Sequence, residues 1–360
     1  MKTERYCNID LIKAIAMFFV VFYHGTIYSF DFLYQGTATN YILYFLRTIL
    51  SVCVPIFFVT NGYLLFSKSF DLKKHITKTV KIIVITAIWG AITLALLQII
   101  RNEYFTVTEF VKALWNLKNG WINHLWYMGA LVCLYIFFPL LKQVFDTNRK
   151  IFMFFTVAVT VLTIGNTVIN NVATIGYNTV FDGSLVATDY NFFNVFNPLR
   201  GIHGESFAYF CLGGVLYAYK DKIESISVKK RNIFSGIGML VCCIGLWGIG
   251  IIYSRLYGYV WDVVYSAYDS IFTYFNVIFV FILAMNWKRN LKFVSSVSTN
   301  TMGIYFIHMI VITFLRPLVT QYDFVKNLPC NIIFSLVVLL ISLGISAGMK
   351  KIPIIKNLVK

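Results

Sequence analysis

The chain alternates between long apolar runs and short polar connections. Ten runs stand out, at roughly residues 9–29, 42–66, 80–100, 125–141, 151–170, 205–220, 233–253, 267–286, 297–316 and 331–349. A helix needs about 20 mostly apolar residues to cross the hydrocarbon of a bilayer. The pattern therefore predicts an all-α integral membrane protein, a polytopic bundle of about ten transmembrane helices. The fourth and sixth runs are short, so they tilt little or extend into neighbouring connections. The longest connection, about 171–204, is rich in Asn, Thr and aromatics and is expected to pack over the outer face. No repeat, low-complexity tract or soluble stretch interrupts the pattern. Residues 1–360 read as a single transmembrane domain with no appended soluble domain.

Composition agrees with this reading. The 360 residues are 59% hydrophobic and 13% charged, whereas soluble domains sit nearer ~45–50% apolar and ~25% charged. The net charge of +16 does not point to nucleic acid, because the basic residues fall in short connections between apolar runs. They carry topology instead. About 22 Lys and Arg lie on the side of the two termini, and about 8 lie on the other. That bias predicts cytoplasmic termini. The seven cysteines are scattered, without CxxC or metal-type spacing, so neither a disulfide framework nor a metal site is inferred. The first run is too long for a typical signal-peptide core, carries Asp10 and Lys13, and lacks a small-x-small site after it.

That first run, NIDLIKAIAMFFVVFYHG from Asn8 to Gly25, holds three ionisable groups. Lys13 and His24 are eleven positions apart, close to three helical turns and ~16 Å of rise, so they share a face. Asp10 precedes Lys13 by three residues and falls on the same side. A charged residue inside a bilayer costs at least ~2.5–3.5 kcal/mol, so such a stripe is expected to face a cavity or pathway. The competing structural reading has Lys13 snorkelling to the interface beside Asp10, and His24 as a hydrogen-bonding group near the outer surface.

Other polar residues invite the same comparison. His308, in the ninth run, lies near the midplane, where it orients His24, contacts a substrate or bridges helices. Tyr305 is three residues away on the same face. His124 and Trp126 sit at the outer end of the fourth run, where an aromatic belt is the default and stacking on a sugar the alternative. Glu205 and His203 open the sixth helix, where a carboxylate favours the helix start. Asp269 reads as an intramembrane carboxylate near the outer end of the eighth helix. Asn61, Gly62 and Tyr63 read as a close-packing patch. His75 reads as a solvated residue of a cytoplasmic connection.

Taken in order, several segments resemble the acyltransferase-3 membrane family. They are the Lys13-to-His24 spacing, PIFFVTNGYLLFSK from Pro55, HLWYMGALVCLYIFFPLL from His124, FAYFCLGGVLY from Phe207, and MGIYFIH from Met302 to His308. The segments span nearly the whole chain. Departures exist: Asn61 stands where the family usually has Ser, and Lys13 where Arg is common. The family's cytoplasmic Arg-x-x-Arg becomes Lys78-Thr-Val-Lys81, and the esterase-like domain that some relatives carry does not follow.

The resemblance implies an O-acyltransferase of the bacterial cytoplasmic membrane. It would move an acyl group, expected to be acetyl, from cytoplasmic acyl-CoA to a hydroxyl of an extracytoplasmic glycan or lipid-linked sugar. Acetyl-CoA would be a donor substrate, with no tightly bound cofactor and no metal. On this reading His24 is the catalytic group, as general base or as an acyl-imidazole nucleophile. Lys13, Asp10 and Arg5 line its channel, while Lys73, Lys74, Lys78 and Lys81 meet the donor's phosphates. Membrane lipids and other glycan-assembly proteins are the expected neighbours. Two other classes fit ten helices with an inward polar stripe: a polysaccharide exporter, flippase or small-molecule permease, and a non-catalytic scaffold. No inverted repeat or paired broken helices favour the transporter.

Overall fold

The computed structural model describes residues 6–102, 104–116, 122–181, 192–199 and 203–359. Among these residues there are helices and no strands. In chain order the α-helices are α1 (Cys7–His24), α2 (Phe32–Gln35), α3 (Ala38–Arg47), α4 (Cys53–Phe66), α5 (Leu72–Arg101) and α6 (Val107–Asn116). Then come α7 (Trp126–Thr147), α8 (Arg149–Thr160), α9 (Asn166–Phe181), α10 (Gly204–Ala218) and α11 (Lys220–Glu224). The last four are α12 (Val228–Tyr257), α13 (Ile271–Ala284), α14 (Lys292–Thr320) and α15 (Leu328–Met349). Among the described residues, eight helical stretches are long and apolar enough to cross a membrane, and α13 is a shorter apolar helix. The protein is therefore a multi-pass membrane protein.

Three expectations change. The fifth predicted run stops at 170, but the helix continues. α8 passes through a π-helical turn at Val161–Gly165 into α9, giving one apolar helix from Arg149 to Phe181. Asn166, Thr167, Asn170, Asn171 and Thr174 end the apolar run in sequence. Their spacing keeps them on one helical face, so the helix persists where the hydropathy falls. Asp269 is not inside the eighth helix. It lies in the connection before α13, whose first turn is capped by the Ser270 hydroxyl accepting from Phe272 N–H. His75 is buried within α5 instead of being solvated.

The chain divides into two compact units. One comprises residues 1–12, 30–69 and 140–288. Its centre is the pair α4 and α10, which approach closely because glycines face backbone. A Cβ at Gly62 would collide with the Phe210 carbonyl, and one at Gly213 would sit 2.6 Å from the Tyr63 nitrogen. Phe66 continues this contact by packing its ring against Phe145, Phe152 and Phe210. Buried Lys142 stays solvated by protein, donating to the Phe66 carbonyl at 3.1 Å and to Asp146 at 2.8 Å. α12 lies against α13, with Gly238 and Gly245 making room for Phe279 and Phe272.

The other unit comprises residues 13–29, 70–139 and 289–360. α14 packs on α15 with Gly303 under Ser346, whose hydroxyl donates to Asn300 at 3.0 Å. α5 meets α14 through Trp89, stacked on Phe306 with centroids 5.5 Å apart and an interplanar angle of 5°. The Trp89 indole also donates to the Leu358 carbonyl at 2.8 Å. These contacts fix the rotation of α14 about its axis, and with it the direction in which Tyr305 and His308 face.

Candidate active site

Three histidines from three parts of the second unit converge. His24 ends α1, His124 lies in the 3-10 turn before α7, and His308 is mid-α14. Ring centroids are 5.2 Å apart for His24 and His308, 5.6 Å for His124 and His308, and 6.5 Å for His24 and His124. His308 is fully buried and His124 nearly so.

Backbone carbonyls assign the ring protons. His308 Nδ1 lies 2.6 Å from the Tyr305 carbonyl, which only accepts, so Nδ1 carries hydrogen and Nε2 carries the lone pair. His24 Nδ1 lies 2.9 Å from the Val20 carbonyl and 3.4 Å from His308 Nε2. Both partners are acceptors, so His24 Nδ1 is the donor and shares its proton between them. The lone pair of His24 is thereby placed on Nε2, the nitrogen able to take a proton from an incoming group. If Nε2 is protonated, the imidazolium keeps two acceptors at its other nitrogen.

The surroundings hold this geometry. Arg316 of α14 donates one Nη2 to the His24 carbonyl, the last of α1, at 2.7 Å and to the Thr26 carbonyl just beyond the helix at 3.1 Å. The Tyr305 hydroxyl donates to the His124 carbonyl. Its ring packs against Tyr127, with centroids 5.7 Å apart. The turn bearing His124 is therefore tied to the same helix that bears His308.

Lys13 points into the same unit, donating to the Ser298 carbonyl of α14 at 3.1 Å. Its partner is thus a backbone carbonyl from the first turns of α14, about three helical turns below His24 along α1. Lys78 of α5 donates to the Tyr135 hydroxyl at 3.0 Å, and His75 Nε2 contacts the Tyr135 carbonyl at 2.7 Å. Lys73 and Lys74 are exposed and Lys81 is half-buried. Lys74 pairs with Asp71 at 3.1 Å; its backbone and side-chain donors hold the Asp71 carboxyl below the usual carboxylate range. Trp126 is half-buried at the start of α7.

The remaining predicted residues fall in the first unit. Asp10 is half-buried in the early turns of α1. Asn61 spends its amide on the Phe57 carbonyl of its own helix, at 2.9 Å. Tyr63 is buried among Tyr6, Tyr217 and Phe281. Glu205 pairs with His203 at 3.3 Å, and Asp269 accepts from Thr167 at 2.8 Å. Arg5 lies outside the described residues. The structure thus brings together His24, His124, Tyr305 and His308 and places the others elsewhere. Sequence reasoning missed Arg316, counted only as a topology signal, and Tyr135. Neither differs in sequence from an ordinary interfacial residue.

A family model described as an acyltransferase domain, that of the acyltransferase-3 family, matches residues 8–348. An Enterococcus faecalis protein named as an amino-acid racemase is 30% identical over 139 residues, covering 36% of this chain and 18% of that protein. The chain thus spans about a fifth of the length of this relative. No solved structure matches.

Proposed function

Since the chain belongs to the acyltransferase-3 family and is a membrane acyltransferase, we propose that it is an O-acyltransferase of the bacterial cytoplasmic membrane. It moves an acyl group, acetyl in the first instance, from cytoplasmic acyl-CoA to a hydroxyl of an extracytoplasmic cell-surface glycan or lipid-linked sugar. The observation that carries this reading is the carbonyl-bound histidine pair, which leaves the His24 Nε2 lone pair as the base.

The step balances without a cofactor. The acceptor hydroxyl gives its proton to His24 Nε2 as its oxygen attacks the thioester carbonyl carbon. The C–S bond breaks, and the departing CoA thiolate takes the proton back from His24. The products are an ester and free CoA thiol. His308 Nε2 and the Val20 carbonyl stabilise the transient imidazolium through its Nδ1–H. Arg316 fixes the end of α1, so the imidazole meets its substrates in one orientation. His308 and Arg316 act as positioning residues.

The donor arrives from the side rich in Lys and Arg. There Lys73, Lys74, Lys78 and Lys81, clustered at the start of α5, offer point charges to its phosphates. The excess of basic residues in the connections on that side supports a cytoplasmic location for it. Lys13 marks the route between that surface and His24. Neighbouring glycan-assembly proteins present the acceptor on the other side.

The test is mass spectrometry of surface glycans from cells carrying His24→Ala at wild-type protein level. Positioned general-base catalysis supplies about 10²–10⁴-fold, so ester formation is expected to fall at least 100-fold. Wild-type ester content would refute the assignment.

A further inference from the structure

The first unit holds two adjoining cavities that the acyl-transfer step above does not use. One, of about 260 Å³, is lined by Asn170, Asn171, Tyr253, Tyr257 and Trp261 among others. The second, of about 280 Å³, is lined by Asn197, His203 and Glu205 among others. Asn166, Thr167 and Asp269 line both and form their common wall.

The position along the helices is informative. Asn166 lies 17 residues beyond Arg149, or ~25 Å of helix rise, which nearly crosses the ~30 Å hydrocarbon. Tyr253 and Tyr257 lie farther still, ~33–42 Å of helix rise, from the Lys229, Lys230 and Arg231 end of α12. Both walls therefore sit at the membrane face opposite the lysine-rich connections. That face is where an extracytoplasmic acceptor would be met.

The chemistry of the lining is specific. Tyr253 and Tyr257 stack with planes 2° apart, and Tyr257 continues onto Tyr259 at 18°. The Tyr253 hydroxyl donates to Asn171, which locks the ring wall to the amide wall. Tyr257 and Trp261 are half-buried and line the cavity. Ring faces carry negative charge density that suits the C–H face of a pyranose. Asparagine amides offer an acceptor and two donors each, matching vicinal hydroxyls. The Asp269 and Glu205 carboxylates oppose an anionic guest. The π-helical turn at Val161–Gly165 directly precedes this stripe, and such turns frequently accompany functional sites.

We propose that this double cavity binds two consecutive neutral sugar rings, one per lobe, and so selects the acceptor glycan. The selection clause rests on the acyl-transfer reading above; the binding itself does not.

Binding is measured on the full chain in nanodiscs by saturation-transfer NMR. The probes are methyl glycosides of glucose, galactose and N-acetylglucosamine, their β-linked disaccharides, glucuronic acid methyl glycoside and choline. At least one neutral disaccharide is expected to bind, at least fivefold more tightly than its monosaccharide and tenfold more tightly than the glucuronide. Tyr257→Ala and Asn170→Ala are expected to weaken it at least tenfold, while Tyr257→Phe keeps it within twofold. Melting curves of the variants show that the fold is intact, and Tyr257→Phe guards against a merely structural effect.

Three results overturn the proposal: no neutral glycoside binding, binding indifferent to the Tyr257 and Asn170 variants, or choline as the tighter guest. His24→Ala separates the two readings. If that variant binds glycosides normally yet still forms ester, the catalytic assignment of His24 fails and the cavity stands. If it loses ester formation while wild type binds no glycoside, the cavity fails alone.

Discussion

Replacing His308 by leucine tests the histidine pair most directly. Leucine has similar volume and no acceptor, so the change removes the lone pair facing His24 Nδ1–H and little else from the site. The lost interaction matters most when His24 carries a proton. Hydrogen bonds to charged groups contribute about 1.5–3 kcal/mol. The 3.4 Å separation is long, and the Val20 carbonyl at 2.9 Å remains, so the lower end applies. About 1.5 kcal/mol at the transition state corresponds to roughly tenfold in kcat. His308 contacts the ring of His24 and none of the lysines offered to the donor phosphates, so KM for acyl-CoA is expected to hold within twofold. Glutamine, whose amide oxygen can accept the same proton, is expected to recover most of the loss. The assay is transfer of radiolabelled acetyl from acetyl-CoA to membrane glycan by purified protein in vesicles. A double variant with His24→Ala is expected to be no slower than His24→Ala alone, because both changes act through one imidazole. Wild-type kcat in the leucine variant, or a glutamine variant as slow as leucine, would sink the reasoning.

Three further outcomes follow from other parts of the molecule. Gly62→Ala drives a Cβ into the Phe210 carbonyl and is expected to cost about 1–3 kcal/mol by overpacking, seen as a lower melting temperature in detergent; an unchanged value would show that α4 and α10 can separate. Burial, with the Glu205 carboxylate adding to it against the Thr167 hydroxyl, pushes the Asp269 carboxyl up from 3.8 to about 6. The folded state therefore holds that proton more tightly, and stability falls as pH rises from about 4 to about 6. Asp269→Asn is expected to match wild type at pH 4 and to melt higher at pH 7.5; the reverse order would refute this. Lys78→Gln with Lys81→Gln is expected to raise KM for acyl-CoA severalfold with kcat unchanged, and to flatten its dependence on salt; an unchanged KM would move the donor site elsewhere.

Much of the fold was legible because bilayers impose a simple rule: apolar runs of sufficient length become helices. Each of the ten predicted runs falls on helix. The same rule exposed His24 and His308 as ionisable groups where apolar residues were expected. It could not say that they meet, because they are 284 positions apart and only the packing of α14 brings them together. The Lys13 stripe was readable as a shared face, but its partner, a carbonyl of Ser298, leaves no trace in side-chain identity. Arg316 was hidden for the opposite reason. An arginine at a helix end is what topology alone predicts, so its bonds to α1 look like nothing special in sequence. The part of α9 beyond residue 170, with Asn171 and Thr174, was misread as loop because hydropathy averages over faces, whereas a helix keeps them apart.

The wide turn at Val161–Gly165 gives that stripe an adjustable bearing. Each residue of an α-helix turns the chain by about 100°, so removing one residue from this turn would swing the entire upper half of the helix by that angle. Asn166 and Asn170 would then look toward oil, Asn171 would take the place of Asn170, and Val172, now exposed, would rotate inward to the place of Asn171. Lengthening or shortening this one coil is thus a single-step route by which descendants of this protein can retune what the upper half of the helix displays without touching the histidines.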